Sequence, residues 1–479
     1  MLFNSYVFLL AYLPLVLGGF FCFSRLHLVK AAQIWLLVSS LFFYGYWDIR
    51  FLPLLAGSIL FNYYCGLKIL TLSGASRKGV LLVGIVLDLG LLFYFKYSNF
   101  FLSTLLGQSA FGVILPLGIS FFTFTQIAFL VDAFQGKTER SGLISYGLFV
   151  TIFPHLIAGP ILHHSPMLQQ FDSLRMYVLS WKNIYLGIVL FILGISKKVL
   201  LADNLAPLVK SIFDEPNASI PFLQAWMGAL AYTLQLYFDF SGYSDMAVGL
   251  GLMVNLKLPI NFNSPYQADS IIDFWRRWHI TLSTFLRDYL YIPLGGSRNG
   301  KLARYRNLFI TMLLGGLWHG AGWTFVLWGV CHGCFLMINH LWRDLKLSMP
   351  HWFAKAFTLL AVIVAWVIFR APTVDQAMHI IQGMMGFHGL VLPEKYASSL
   401  LFLQGIGVQF GHISGSIFRL VDIGLIAILS IVVLFFPNSN EWIEKLKSRP
   451  LVLAAPCALL FFFVFLNLEE VSEFLYYQF

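Results

Sequence analysis

The chain has 479 residues, 59% of them hydrophobic and only 11% charged, with a mean hydropathy of +0.78. Soluble domains run at about 45–50% apolar and about 25% charged, so a soluble globular enzyme is excluded. So is a disordered or nucleic-acid-binding chain, which needs many more charges. The formal net charge of +9, from 31 Lys and Arg against 22 Asp and Glu, then reads as basic loops held on the cytoplasmic side of a membrane. The apolar runs are long and unbroken, unlike the short alternating segments of an outer-membrane barrel. The class is an all-α polytopic membrane protein, and residues 1–479 read as a single integral-membrane domain.

Residues 1–24 carry no charge before Arg25 and no basic n-region. They predict a retained helix rather than a cleaved signal. A spanning helix needs about 20 mostly apolar residues. Charge-free stretches reach or approach that length at 31–47, 51–67, 79–87 running on to 95, 97–131, 141–171, 183–196, 216–238, 307–342, 356–369, 396–418, 423–440 and 450–468. Pro116 should break the 97–131 stretch and Pro160 the 141–171 stretch. The 307–342 stretch is long enough for two helices parted near Gly315–Gly322.

The positive-inside rule makes Arg25 and Lys30, Arg77 and Lys78, Lys137 and Arg140, the cluster from Arg276 to Arg306, and Lys445, Lys447 and Arg449 cytoplasmic. Both chain ends then face outside, which requires an even number of crossings. Roughly 12 spans fit, with re-entrant and interfacial pieces between them. The tail 469–479 is accordingly extracytoplasmic. No repeat of fixed period is visible, which argues against the repeat-built transporters.

Residues 264–306 differ from their surroundings. Asp269, Asp273, Arg276, Arg277, Arg287, Asp288, Arg298, Lys301, Arg304 and Arg306 are interleaved with Trp275, Trp278, Phe285, Tyr289 and Tyr291. The segment is too charged to span and predicts an amphipathic helix at the cytoplasmic interface, in contact with membrane lipids and ending at Pro293–Gly296.

Ionisable groups inside apolar runs are costly, so each is a functional candidate. His319 lies mid-way through the longest charge-free stretch, in Gly315-Gly316-Leu317-Trp318-His319-Gly320-Ala321-Gly322. The glycines allow a helix break and close approach of a ligand, and an imidazole is a natural general base near neutral pH. The competing structural reading is a histidine bonded between helices. His279 closes Asp273-Phe274-Trp275-Arg276-Arg277-Trp278-His279. Asp273 and Arg277, at i and i+4, can pair, leaving Arg276 to meet an anionic ligand; lipid head groups are the plainer occupant. Asp239 and Asp245 suggest a cation site less well than a capping and polar-network role. His155, His163 and His164 lack the carboxylate or thiolate that would favour a metal. Cys331 and Cys334 have no second pair, so no zinc site is expected. No metal ligands are assigned.

The stretches Phe238-Asp239-Phe240-Ser241-Gly242-Tyr243-Ser244-Asp245, Asp273–Ser283 and Gly316-Leu317-Trp318-His319-Gly320 resemble the membrane-bound O-acyltransferase family. The opening Met1–Ser5 and closing Phe474–Phe479 resemble its bacterial branch that O-acetylates exported polysaccharides, the branch typified by alginate O-acetylation. The resemblance covers essentially the whole chain. It implies a multi-pass protein of the bacterial inner membrane, folded as a helical funnel thinned at its centre, with the essential histidine at the constriction. His319 matches that histidine, and His279 a second recurring one. Asp273, Arg276, Arg277, Trp278 and Trp318 are the candidate substrate-binding residues. The resemblance further implies acetyl-CoA as cytoplasmic co-substrate, with no bound cofactor, and a separate extracytoplasmic O-acetyltransferase as partner. The tail resembles the C-terminal end of the small membrane partner in teichoic-acid D-alanylation, which puts an acyl-relay hydroxyl at Tyr476; an interfacial aromatic belt is the competing reading. Two other functions stay open at this point: a transferase with a D-alanyl or longer acyl donor, and a transporter of polysaccharide or lipid-linked sugar.

Overall fold

The structure, a computed structural model, describes residues 1–106, 112–214, 219–411, 419–447, 450–468 and 475. Its helices, in chain order, are α1 (Leu13–Arg25), α2 (Val29–Gly45), α3 (Leu52–Thr71), α4 (Gly74–Leu92), α5 (Ser98–Leu106), α6 (Ile119–Phe134), α7 (Leu143–Thr151), α8 (His164–Phe171), α9 (Trp181–Ser196), α10 (Asp203–Phe213) and α11 (Phe222–Met253). There follow α12 (Ile271–Arg277), α13 (Ile280–Leu286), α14 (Gly300–His319), α15 (Trp323–Asp344), α16 (His351–Arg370), α17 (Val374–Met384), α18 (Ala397–Leu400), α19 (Leu420–Phe435), α20 (Ser439–Leu446) and α21 (Pro450–Leu466). Short parallel strands β1 (Leu390–Pro393) and β2 (Val408–Gly411) pair with each other.

Among the described residues, six helical stretches are long and apolar enough to cross a membrane: Phe8–Arg25, Ile49–Thr71, Gly74–Ser103, Trp181–Phe213, Trp323–Asp344 and His351–Arg370. A seventh results if α19 and the bent helix after it count as one. Shorter apolar helices, among them α2 and α6, add to these. The breaks expected at Pro116, at Pro160 and within Gly315–Gly322 all fall between helices.

Three expectations need correction. The charge-free run 396–418 is not a spanning helix: over its described part it holds α18, a short 3-10 turn and β2. Its glycines explain this, since Gly407 takes φ +90, a conformation that ends a helix. The 264–306 segment is not one amphipathic helix: α12 and α13 are parted at His279, a π-helical turn Arg287–Tyr291 continues α13, and α14 begins at Gly300. Its apolar residues Phe274, Trp275, Trp278, Leu282 and Phe285 are buried in the protein core. Finally, several expected spans stop short of the real helices because a charge interrupts the apolar run. Asp88 and Lys96 lie within Gly74–Ser103, and Lys197 and Lys198 within Trp181–Phe213.

The bundle is organised around α11, whose residues from Ala231 to Gly251 are all buried. α9 packs against it antiparallel through two glycine pairs spaced seven residues apart, Gly187 with Gly249 and Gly194 with Gly242. A Cβ on Gly194 would lie 2.5 Å from the Gly242 carbonyl oxygen, and one on Gly249 2.6 Å from the Gly187 carbonyl oxygen. Small residues let helix backbones meet where no hydrophobic effect drives association between them. Gly242→Leu is therefore expected to destabilise the fold by about 3 kcal/mol through overpacking. The check is the denaturant midpoint in detergent; an unchanged midpoint would show that the helices do not meet there.

The two α11 carboxylates are neutralised on the same seam. Lys198 Nζ lies 2.9 Å from Asp239 Oδ1 and 2.6 Å from Asp203 Oδ1, while Lys197 Nζ lies 2.6 Å from Asp245 Oδ2. Lys197 also donates to Ser439 Oγ at 2.9 Å, tying α20 to the seam. Asp239 and Asp245 thus serve a polar network, and α11 runs on past both because each charge is paired.

Candidate active site

The site is built where α14 ends. His319 is the last residue of α14, and the link Gly320-Ala321-Gly322 is extended at both glycines before α15 begins. The two helices form a tight hairpin, since a Cβ on Gly329 of α15 would lie 2.6 Å from the Met312 carbonyl oxygen of α14. Glycines at both faces of the crossing, and in the link, are what bring the histidine and the start of α15 together.

The His319 imidazole sits in an aromatic cage. Trp328 lies edge-on at 4.9 Å between ring centroids, Phe369 edge-on at 5.2 Å, and Trp318 at 5.0 Å. Trp366 stacks on Trp328 at 6.0 Å. His319 keeps 5% of its surface accessible, whereas the other buried histidines, His155, His164, His279 and His332, keep 0%. Among the described residues, His319 is the buried histidine that retains any accessible surface.

His279 stands on the other side of Trp318, its ring 6.3 Å from the indole. Its backbone is left-handed, φ +40 and ψ 57, a conformation that costs an L-residue about 1–2 kcal/mol. One side chain holds it there. Asn261 Oδ1 accepts from Thr281 Oγ1 at 2.7 Å, from Thr281 N at 3.2 Å and from His279 Nδ1 at 3.3 Å. Phe240 of α11 packs edge-on against the His279 ring at 4.7 Å. Strain held by a dedicated hydrogen-bond hub is characteristic of positions kept for function.

Trp318, the residue between the two rings, is buried, with Phe124 stacked on it at 5.2 Å and Phe121 edge-on at 5.7 Å. Trp278 lies two aromatic layers from His319, 4.8 Å from Trp366, which packs on Trp328 and Phe369. Asp273 and Arg277 pair at 2.8 Å, as their spacing predicts, and Arg276 beside them is exposed. Tyr476 lies outside the described residues. Its neighbour Leu475 is buried, and its N–H donates to Asp239 Oδ2 at 3.1 Å.

Two groups without any local motif complete the surroundings. His332, one turn beyond Trp328 on α15, accepts at Nδ1 from Trp275 Nε1 at 3.2 Å and contacts the Trp328 ring at 4.7 Å. Lys96 reaches the carbonyl end of α14. The histidines near Pro160 go elsewhere: His155 Nδ1 donates to the Pro160 carbonyl at 2.9 Å, and His163 Nδ1 donates to the Tyr289 hydroxyl oxygen at 3.0 Å, the Tyr289 proton itself going to Asp132. Burial, reinforced by the carboxylate of Asp132 at 2.8 Å, holds the Tyr289 phenol well above its usual range, so it remains a donor. Among the described residues, no three His, Cys, Asp or Glu side chains converge as a metal site would require.

The profile of MBOAT, the membrane-bound O-acyltransferase family, matches residues 41–374, which takes in α11, His279, the cage and His319. The chain belongs to the membrane-bound O-acyltransferase family. This acyltransferase is 41% identical, over its whole length and 98% of the relative's, to the peptidoglycan O-acetyltransferase of Helicobacter pylori. It is 43% identical to the probable alginate O-acetylase AlgI of Pseudomonas aeruginosa, over 84% of the acyltransferase and 78% of the relative. The teichoic acid D-alanyltransferase of Streptococcus thermophilus is 28% identical over 48% of the acyltransferase and 58% of the relative. As in its sequence, the acyltransferase is a multi-pass membrane protein, with His319, Trp318 and His279 brought side by side by segments that lie 40 residues apart.

Proposed function

We propose that this acyltransferase carries acetyl groups from cytoplasmic acetyl-CoA across the bacterial inner membrane for O-acetylation of an exported cell-surface polysaccharide. The observation that carries the reading is His319: a buried base at a helix break, walled by aromatics, and, among the described residues, the buried histidine that keeps some accessible surface. Relatives of nearly full length, named for O-acetylation of peptidoglycan and alginate, support acetyl as the group and a glycan as its destination.

The chemistry follows from the residues present. Arg276, exposed at the end of α12, attracts the CoA phosphates. A groove of about 300 Å³ beside α12, lined by Ile271, Phe335, Asn339, Trp342, Phe357 and Ala361, suits the acyl-bearing arm. Its α15 lining begins at Phe335, one turn from His332, whose ring contacts Trp328, which in turn contacts His319. At its end His319 takes the proton of an acceptor hydroxyl. The oxygen bonds to the acetyl carbon, the carbon–sulfur bond breaks, and the CoA thiolate leaves with the proton from the imidazolium. The first N–H groups of α15, at Trp323, Thr324 and Phe325, have no helical partners, follow His319 by four to six residues and suit the oxyanion. The first acceptor is Tyr476, whose phenol needs a base to become nucleophilic. The anchoring of Leu475 on Asp239, next to the Phe240 that touches His279, supports a tail that turns inward. A separate extracytoplasmic O-acetyltransferase then moves the acetyl ester to the sugar.

The test uses inside-out and right-side-out membrane vesicles given radiolabelled acetyl-CoA. Label is expected to reach the protein only in inside-out vesicles, where the donor meets the cytoplasmic face. Equal labelling in both would reject the cytoplasmic entry. Label from a D-alanyl carrier protein but none from acetyl-CoA would reject the donor.

A further inference from the structure

Lys96 is an ammonium in the middle of an apolar stretch, on a π-helical turn, Phe93–Tyr97, that continues α4. A π turn spends one residue on a wider loop and is frequently found at functional positions. A lysine so placed is costly unless the protein answers its charge. Its Nζ lies 2.5 Å from the carbonyl oxygen of Trp318, 3.0 Å from that of His319 and 3.4 Å from Ser120 Oγ. The neighbouring Tyr97 hydroxyl donates to the carbonyl of Leu317 at 2.6 Å. Three consecutive carbonyls at the end of α14 are thus met by two consecutive side chains from a helix more than two hundred residues earlier.

The physics of the helix end says what this does. The last four carbonyls of any helix lack intrahelical partners, and inside a membrane there is no bulk water to satisfy them. They also form the negative pole of the helix, which a cation stabilises. Neutral hydroxyls would suffice to satisfy carbonyls, as Tyr97 illustrates at Leu317. A full charge adds an electrostatic clamp. The last turn of α14 needs one, because Gly315, Gly316, Gly320 and Gly322 surround His319 and glycine resists being held in a helix. The other side of Lys96 faces a cavity of about 90 Å³ lined by Trp47, Leu115, Gly118, Phe121 and Ala158, roomy enough to keep the ammonium in contact with water.

We propose that Lys96 is a positioning residue for acyl transfer. Its ammonium locks the terminal turn of α14 and thereby aims the His319 imidazole. It acts through His319 and does not touch the reactants. The inference rests on the reading of His319 as the base.

The experiment measures CoA release from acetyl-CoA by the full-length protein in nanodiscs, for Lys96→Met, His319→Ala and the double variant. Misaiming a catalytic group by about 1 Å lowers rates about 10²-fold, so Lys96→Met is expected to lower kcat by about that factor, with KM for acetyl-CoA within about twofold. Because the effect runs through His319, Lys96→Met is expected to cause no further loss on the His319→Ala background. An unchanged kcat, a raised KM at constant kcat, or the same fold-loss on both backgrounds would each overturn the proposal. If Lys96→Met does not accumulate, Tyr97→Phe removes only the Leu317 bond; it is expected to lower kcat several-fold, again only when His319 is present, and an unchanged kcat would overturn the clamp. Full activity of His319→Ala would instead remove the base itself, an outcome distinct from a failure of Lys96 alone.

Discussion

His319→Ala is expected to strip acetyl groups from the exported polysaccharide while the polymer continues to be exported. A general base contributes about 10²–10⁴ in rate, equivalent to about 3–5 kcal/mol of barrier. The His279 ring is held at Nδ1 by Asn261, and His332 at Nδ1 by the Trp275 indole N–H. Alanine would also empty part of the cage formed by Trp328 and Phe369, so His319→Gln, nearer in volume, is the companion variant. Both should lose acetylation equally if proton transfer is what the ring supplies. The measurement is acetyl content per sugar in the native host. Near-normal acetylation in either variant would refute the assignment, and loss of the polymer itself would point to export rather than transfer.

The second large effect is expected from a single hydroxyl. Tyr476→Phe keeps the ring and removes only the oxygen, so any packing role of the tail survives. If that oxygen accepts the acetyl group, polysaccharide acetylation should fall to the His319→Ala level, whereas Tyr477→Phe should leave it near normal. The protein should still bind acetyl-CoA, because the groove beside α12 and the His319 cage are untouched. Digestion of the labelled protein should yield an acetylated C-terminal peptide from the unaltered chain and none from Tyr476→Phe. Normal polysaccharide acetylation in Tyr476→Phe would reject the relay.

Composition and hydropathy alone determined that this is a multi-pass helical membrane protein. Local chemistry determined some of the breaks between helices: Pro116 and Pro160 fall outside helices, and the glycines after His319 part α14 from α15, each acting on its own backbone. The Trp318-His319-Gly320 and Asp273–Ser283 stretches singled out the residues that converge on the cage, because a histidine inside an apolar run, or arginines among tryptophans, stand out against their immediate neighbours. What only the tertiary structure decided concerns charges that pair at long range. Runs of apolar residues were cut at Asp88, Lys96, Lys197 and Asp239, yet the helices continue through all four. Asn62 meets Asp88 at 2.8 Å, and Lys198 meets Asp239 at 2.9 Å. Lys96 meets the end of α14, 222 positions away. A charge looks like the end of a membrane helix until its partner is known, and in a folded bundle that partner sits on another helix.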